Sequence, residues 1–390
     1  MPESPLQGVT VLDLSRVVAG PFAAQMLADL GARVIKLERT DGGDDLRKVG
    51  PPWCRQQGEA PRVSTYFAAV NRGKQSVPVD FDAADGIALV RQLVTEADVV
   101  IENFRTGTLA RKGLGYDDLA AINPRLILCS VTGFGQTGPR ATESGYDYLA
   151  QAMAGVMHVT GHVAGQPGAG PMRVGVPIVD IAAAKDAVIG ILAALRQREK
   201  TGHGQHVDVS LFDSAMGLML NPASAALNAG EDIGPSGNIH PSAFPYGVFP
   251  AADGDILIAT FTDAGFAGIA TVLGHPEWPA DPRFDSPAQR VANRQALESL
   301  MVAELAKGTR AHWIAAFNAA KVSCGPINTV AEALQDPQVA ARKLVVTTQH
   351  PTLGTVRGVR LTVTTAEASP PATLPPPTLG EHATLLRQAG

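Results

Sequence analysis

Gly8-Val9-Thr10-Val11-Leu12-Asp13-Leu14 decides the fold. Its Val and Leu side chains follow one another without a polar face, as in a strand buried on both sides. Small residues come next at Ala19-Gly20-Pro21. An apolar helical pattern then runs over about 22–30, and Gly31 ends it. Ala32-Arg33-Val34-Ile35-Lys36-Leu37-Glu38 reads as a second strand. Two strands joined by a helix form a βαβ unit and imply a parallel sheet. The alternation continues with a helix near 83–96, a strand over 98–102, a helix near 108–122 and a strand over 126–131. The pattern predicts a doubly wound, Rossmann-like α/β domain.

Further along, 146–200 reads as mostly helical and 205–211 as another strand. The stretch 228–241 is rich in Gly, Pro and Asn, which places a domain change there. Beyond it, 247–259 reads as a hairpin turning at Asp253-Gly254, followed by helical segments near 288–320. The division predicted is a large domain over 1–225, completed by 330–390, and a smaller α+β domain over 226–329. Prolines at 370, 371, 375, 376 and 377 make 367–377 an extended strap.

With 45% hydrophobic and 18% charged residues over 390 positions, the chain has the makeup of a globular protein with a sizeable core. A net charge of −5 argues against nucleic acid as the main partner. An anionic ligand would have to be met by local basic clusters. Cys54, Cys129 and Cys324 are far apart, odd in number and without metal spacing, which fits a reducing compartment. There is no signal-like segment and no apolar run of membrane length, so the expected location is the cytoplasm.

One carboxylate stands out. Val174-Gly175-Val176-Pro177-Ile178-Val179 leads up to Asp180 without a charge, and an apolar helical pattern follows to Leu195. A carboxylate there loses hydration at a cost in free energy, and such a group can serve as a covalent nucleophile. Its alternative employment is as a helix N-cap. Backbone N–H groups at the start of that helix are expected to stabilise an oxyanion.

Gly133-Phe134-Gly135-Gln136-Thr137-Gly138 matches the dinucleotide fingerprint, the basis of an alternative reading as an NAD-dependent oxidoreductase. Pro139 and a polar stretch follow it where an apolar helix should stand, so a glycine-rich loop is the better reading, with no NAD. His203 and His206 near Asp208 mimic metal spacing, yet residues three apart on a strand diverge, so no metal is expected. Arg39, Arg72, Lys74, Arg105, Arg111 and Lys112 fall in predicted loops or helix starts after strands. There, guanidinium groups can hold the phosphates of a nucleotide-like ligand.

Taken together, these segments resemble the class III CoA-transferases, the family of formyl-CoA transferase and the CaiB/BaiF proteins. The resemblance rests on Val11-Leu12-Asp13-Leu14-Ser15-Arg16-Val17-Val18-Ala19-Gly20-Pro21, on the segment from Leu30 to Arg39, and on Val99-Val100-Ile101-Glu102-Asn103-Phe104-Arg105. Thr132-Gly133-Phe134-Gly135, His240-Pro241-Ser242-Ala243-Phe244-Pro245-Tyr246 and Leu379-Gly380-Glu381-His382-Ala383 add to it. It implies that Asp180 is the nucleophile. It implies that coenzyme A touches Val18, Ala19, Arg39, Val79, Asp80, Asn103, Phe104, Arg105 and Arg111, and that the fold is an interlocked homodimer. Asp82 stands where some relatives carry a lysine, for which Lys74 is the substitute at hand. The glycine-rich shielding loop of formyl-CoA transferase is replaced by the shorter Gly234-Pro235-Ser236-Gly237-Asn238-Ile239-His240.

The family also contains acyl-CoA racemases, which use a histidine in a Gly-His-Asp segment; here that position is Tyr146. With an ordinary pKa near 10, tyrosine is a poor base at neutral pH, which argues for transfer over racemisation. The activity implied is transfer of CoA from an acyl-CoA to a small carboxylic acid, dicarboxylic acids included. It would run through an aspartyl mixed anhydride and an aspartyl-CoA thioester, with Tyr146 and His240 meeting the substrate. The alternative is an acyl-CoA racemase or isomerase. Thioester is exchanged for thioester, so the chemistry calls for no ATP, metal or redox cofactor.

Overall fold

The computed structural model of the protein describes residues 4–54, 63–364 and 374–384. Six strands build one sheet: β1 (Thr10–Asp13), β2 (Arg33–Glu38), β3 (Lys74–Pro78), β4 (Val99–Glu102), β5 (Ile127–Thr132) and β6 (His206–Ser210). They pair in parallel in the order β3-β2-β1-β4-β5-β6. Strand order reverses between β1 and β4, the crevice where such sheets bind ligands. Leu12 of β1 faces Ile35 on one side and Val100 on the other, all buried.

The connecting helices are α1 (Ala19–Asp29), α2 (Thr65–Val70), α3 (Ala84–Val94), α4 (Thr108–Arg111), α5 (Tyr116–Ile122), α6 (Asp147–Met153), α7 (Val156–Val159) and α8 (Ile178–Thr201). After β6 come α9 (Leu211–Leu218) and α10 (Leu220–Ala229). The doubly wound sheet expected from the alternation is present, with local departures. α1 begins at Ala19, three residues before the helical pattern expected from about 22; Pro21 is tolerated because an N–H in the first turn has no intrahelical acceptor. The helix expected over 108–122 breaks into α4 and α5 at Gly113, which takes φ +68°. The helix expected across 146–200 is interrupted over 160–177. There Gly161, Gly165, Gly168 and Gly170 adopt positive φ.

The chain divides into two compact units. One holds residues up to 157, 173–232 and from 338 onward; the other holds 158–172 and 233–337. The second unit contains an antiparallel sheet of β7 (Tyr246–Ala251), β8 (Gly254–Ala259) and β9 (Ser323–Pro326). The expected hairpin is β7–β8, and it turns at Ala252-Asp253, one residue earlier than read. Its helices α11 (Asp263–Val272), α12 (Pro287–Ala292), α13 (Arg294–Leu305) and α14 (Arg310–Ala319) close over Phe249, Ile258, Phe266, Phe284 and Phe317. Two short helices, α15 (Val330–Ala333) and α16 (Pro337–Ala341), follow.

Back in the first unit, β10 (Val345–His350) and β11 (Gly354–Val359) pair as a hairpin. The tail then lies against β3: Leu374 O accepts the Gly73 N–H, and the His382 N–H donates to Ser76 O. Residues 367–373 of the expected proline strap lie outside the described residues.

Candidate active site

Two cavities open at the carboxyl ends of the parallel strands. The first, of about 390 Å³, is lined after β1 by Arg16, Val17, Val18 and Ala19, after β4 by Asn103, Phe104 and Arg105, and after β5 by Gly133. Tyr146 and Asp180 complete its wall. The second, of about 460 Å³, is lined by Arg39, Val79, Asp80, Phe81, Asp82 and Lys112. Arg16, Phe104 and Thr108 line both, so the two are neighbours along one edge of the sheet.

Asp180 lies in the first turn of α8 and is half-buried. It is not the N-cap; Pro177 holds that position, and the capping is done from elsewhere. Asp147, the first residue of α6, is 7% exposed and turns Oδ2 onto the α8 terminus. That oxygen accepts the Val179 N–H at 2.8 Å and the Asp180 N–H at 3.2 Å. Its other oxygen accepts Gln151 Nε2 at 2.6 Å. Ile178 N–H goes to Val176 O and Ile181 N–H to Pro177 O. The amides expected to face an oxyanion are therefore already taken. Among the described residues no side chain donates to the Asp180 carboxylate.

Burial, and then the negative charge of Asp147, push the Asp180 carboxyl up to about 7. Val176, in the uncharged approach to Asp180, is 50% exposed. One neighbour was not foreseen in the sequence. Tyr66 of α2 has its phenol pushed up by burial and by the fields of Asp180, Asp147 and Tyr148.

The turn after β1 is strained and braced. Val17 takes φ +68°, unusual for a β-branched residue. Its N–H donates to Asp44 Oδ1 at 3.1 Å. Asn103 accepts the Arg16 N–H and donates to Arg16 O, so its amide holds this turn in place. Beneath it, Lys36 is fully buried, with Nζ 2.8 Å from Ser15 O and 2.9 Å from Asp44. Glu102, buried at the end of β4, accepts the Phe104 N–H at 2.8 Å, and burial pushes its carboxyl up to about 7.

Gly133 and Gly145 cross so closely that a Cβ on either would strike the other's backbone, and this brings Tyr146 beside the end of β5. The Gly133–Gly138 stretch is a loop after β5, with no helix until α6. His206 bonds Ser130 and stacks on Tyr116.

The basic residues separate. Arg39 lines the second cavity, bonded to Asp45 at 2.7 Å, and its Nε is buried without a hydrogen-bond partner. Arg105 lines the first, with Nη2 on Thr142 O. Arg111 lines neither; its Nη2 bonds Thr108 Oγ1. Lys74 and Arg72 are not ligand-facing as expected. Lys74 is fully buried on β3, with Nζ 2.8 Å from each of Asp13, Pro21 O and Asn71, and Arg72 pairs with Asp29 at 2.6 Å. The cation beside Asp82 is Lys112, at 2.6 Å. His240 belongs to the second unit, where Tyr246 and Phe261 pack on its ring and its Nδ1 accepts the Ser242 N–H.

A sequence model described as CoA-transferase family III matches residues 6–383. The succinate–glutarate CoA-transferase of Agrobacterium fabrum is 41% identical over 378 residues, 97% of this chain and 94% of the relative. The succinyl-CoA:glutarate CoA-transferase of Mus musculus is 38% identical over 378 residues, 97% of this chain and 84% of the relative. A crystal structure of a CaiB/BaiF family protein from Brucella suis superposes with TM-score 0.87 at 42% identity, covering 99% of each chain.

Proposed function

Since the chain belongs to CoA-transferase family III, we propose that it moves CoA between dicarboxylic acids through covalent intermediates on Asp180. One observation carries the mechanism. A half-buried carboxylate with its pKa pushed up to about 7 faces a cavity at the switch point of the sheet. The substrate class follows the names of the relatives, which act on succinate and glutarate.

In the first step the Asp180 carboxylate attacks the acyl carbon of the donor thioester, the C–S bond breaks, and CoA leaves as thiolate from a mixed anhydride. The thiolate attacks the Asp180 carbonyl carbon and expels the donor acid as carboxylate, leaving an aspartyl-CoA thioester. An acceptor carboxylate attacks that thioester, forming a second anhydride and freeing the thiolate. The thiolate then attacks the acceptor's acyl carbon, which yields the new acyl-CoA and restores Asp180. Each step conserves charge. Partial dehydration makes the carboxylate a better nucleophile than it is in water.

The long CoA chain spans both cavities in this reading. Arg39, Val79 and Asp80 meet the nucleotide end; Arg39 Nε has no hydrogen bond there, although Asp41 lies 3.6 Å away. Phe104 stands at the junction, while Val18, Ala19, Asn103 and Arg105 flank the pantetheine and thioester. Arg111 acts at one remove, by holding Thr108. Remote binding energy positions the reacting sulfur. Tyr146, in the Asp180 cavity, is assigned to the acid; His240, also expected to meet it, belongs to the second unit.

The working molecule in this reading is an interlocked homodimer. Helix α10 buries no residue of its own, and Leu220 and Leu227 are 79% and 83% exposed, surface that a second copy would cover. Three free cysteines fit the cytoplasm.

The test is Asp180→Asn and Asp180→Ala with isotopically labelled acceptor acid. Both variants are expected to lose transfer, and wild type treated with hydroxylamine and acyl-CoA is expected to carry a hydroxamate on the Asp180 peptide. Transfer at the wild-type rate by either variant would end the assignment.

A further inference from the structure

The segment that delivers Asp180 begins at Arg173, a guanidinium that the reaction above does not use. It is exposed, and among the described residues no carboxylate pairs with it. It is nonetheless held in place. Its Nη1 donates to Val174 O and Gly175 O, both at 3.2 Å, and its Cζ lies 4.7 Å from the centre of the Tyr148 ring.

That position is tied to the nucleophile by a short chain of bonds. The Val174 N–H donates to Gln151 Oε1 at 2.9 Å, and Gln151 Nε2 donates to Asp147 Oδ1. The other Asp147 oxygen carries the Asp180 N–H. Tyr148, which backs the guanidinium, follows Asp147 on α6, and Tyr66 lies within the fields of both Asp180 and Tyr148. These links join Arg173 and two phenols, Tyr148 and Tyr66, to the turn that carries Asp180.

Electrostatics says what such a cation is for. An acid with two carboxylates spends one on the covalent step and brings the other near the Asp147 carboxylate and, in the first step, near a charged Asp180. That second anion is repelled unless a fixed cation receives it. A guanidinium with one nitrogen engaged by carbonyls still offers Nε and Nη2, a fork that matches a carboxylate. Stacking on an aromatic face lowers the ordering cost of using it.

We propose that Arg173, backed by Tyr148, is the subsite for the distal carboxylate of the acid exchanged at Asp180. The proposal rests on the acyl-transfer reading above and sharpens it: Arg173 sets the preference for dicarboxylic over monocarboxylic acids.

The test compares glutarate with pentanoate, which has a methyl in place of the distal carboxylate, against one acyl-CoA donor. Wild type, Arg173→Gln, Arg173→Lys and His240→Gln are assayed, with melting curves to verify folding. Arg173→Gln is expected to lose roughly 10–100-fold in kcat/KM for glutarate, mostly through KM, and to change less than about 2-fold for pentanoate. Arg173→Lys should recover part of the glutarate loss. Equal losses on both acids, or a selective loss in His240→Gln with none in Arg173→Gln, overturn the subsite while leaving the transferase intact. Wild type that transfers CoA to neither acid overturns the dicarboxylate reading and the subsite with it.

Discussion

Asp147 Oδ2 sits 3.2 Å from the backbone nitrogen of Asp180, so one carboxylate caps the helix that carries another. The two residues are 33 positions apart, and the contact does two things. It anchors the first turn of α8, and it places a negative charge close enough to raise the Asp180 pKa, behind burial itself.

Removing that charge while keeping an acceptor separates the two effects. In Asp147→Asn the amide oxygen can still take the Val179 and Asp180 N–H groups. A carboxyl raised to about 7 is mostly protonated below that pH, so in the proposed first step reactivity is expected to rise with pH and level off above it. Taking away the neighbouring anion favours the charged form and lowers the Asp180 pKa. The acid limb of kcat/KM for acyl-CoA is therefore expected to move to lower pH in Asp147→Asn. A limb at the wild-type position or higher would show that Asp147 does not act on Asp180 electrostatically.

Asp180 also carries a stability prediction. Its folded pKa lies above the ordinary 3.8, so the folded protein takes up a proton that the unfolded chain releases between about pH 4 and 7. Across that window stability falls as pH rises, and above it the full cost is present. Asp180→Asn abolishes this cost and should melt higher than wild type at pH 8. Solvent at the half-buried site screens the effect to roughly 1–2 kcal/mol, or a few degrees. At pH 4 the two should melt together. Equal melting temperatures at both pH values would place Asp180 in ordinary solvent.

Much of the sheet was legible because β1, β4 and β5 are largely apolar, and β2 holds Val34, Ile35 and Leu37, between helical periods. Strand β3 was not. Lys74-Gln75-Ser76-Val77-Pro78 is polar, and it is buried because Asp13 receives Lys74 and Glu38 receives Ser76, partners 61 and 38 residues away. The same long-range pairing hides the role of Arg72 and Lys74, since a cation buried against a distant carboxylate looks like a free one in sequence. The break over 160–177 was written in its glycines and prolines and was overridden by the apolar pattern around it. The partial burial of Asp180 was legible from its uncharged approach. Asp147 and Tyr66 were not, because what each does depends on a residue far along the chain.

Lys36 should be intolerant of an apolar replacement. It sits fully buried between Asp44 at 2.9 Å and Asp13 at 3.6 Å, with its pKa raised despite burial by these carboxylates and Glu38. Lys36→Met leaves Asp44 buried without a cation and is expected to cost about 3–5 kcal/mol. Urea denaturation measures it; a loss under about 1 kcal/mol would mean that the network relaxes around the gap.

The last prediction concerns the strained turn at the mouth of the Asp180 cavity. Val17 holds φ +68°, a conformation that costs an L-residue roughly 1–2 kcal/mol and costs glycine almost nothing. Its side chain also packs against the small cluster of Val18, Leu46, Phe67 and Val70, so any truncation loses some contact. Comparing Val17→Ala with Val17→Gly largely cancels that loss, because both lack the isopropyl group. At most loop positions glycine is the less stable of the two. Here the order should reverse, with Val17→Gly more stable than Val17→Ala by about 1 kcal/mol in urea melts. Val17→Gly also frees the turn to explore other conformations, so its KM for acyl-CoA should rise more than that of Val17→Ala. If alanine proves the more stable replacement, the left-handed turn is not the ground state of the free protein. The cavity wall it forms would then have to be assembled when the thioester binds.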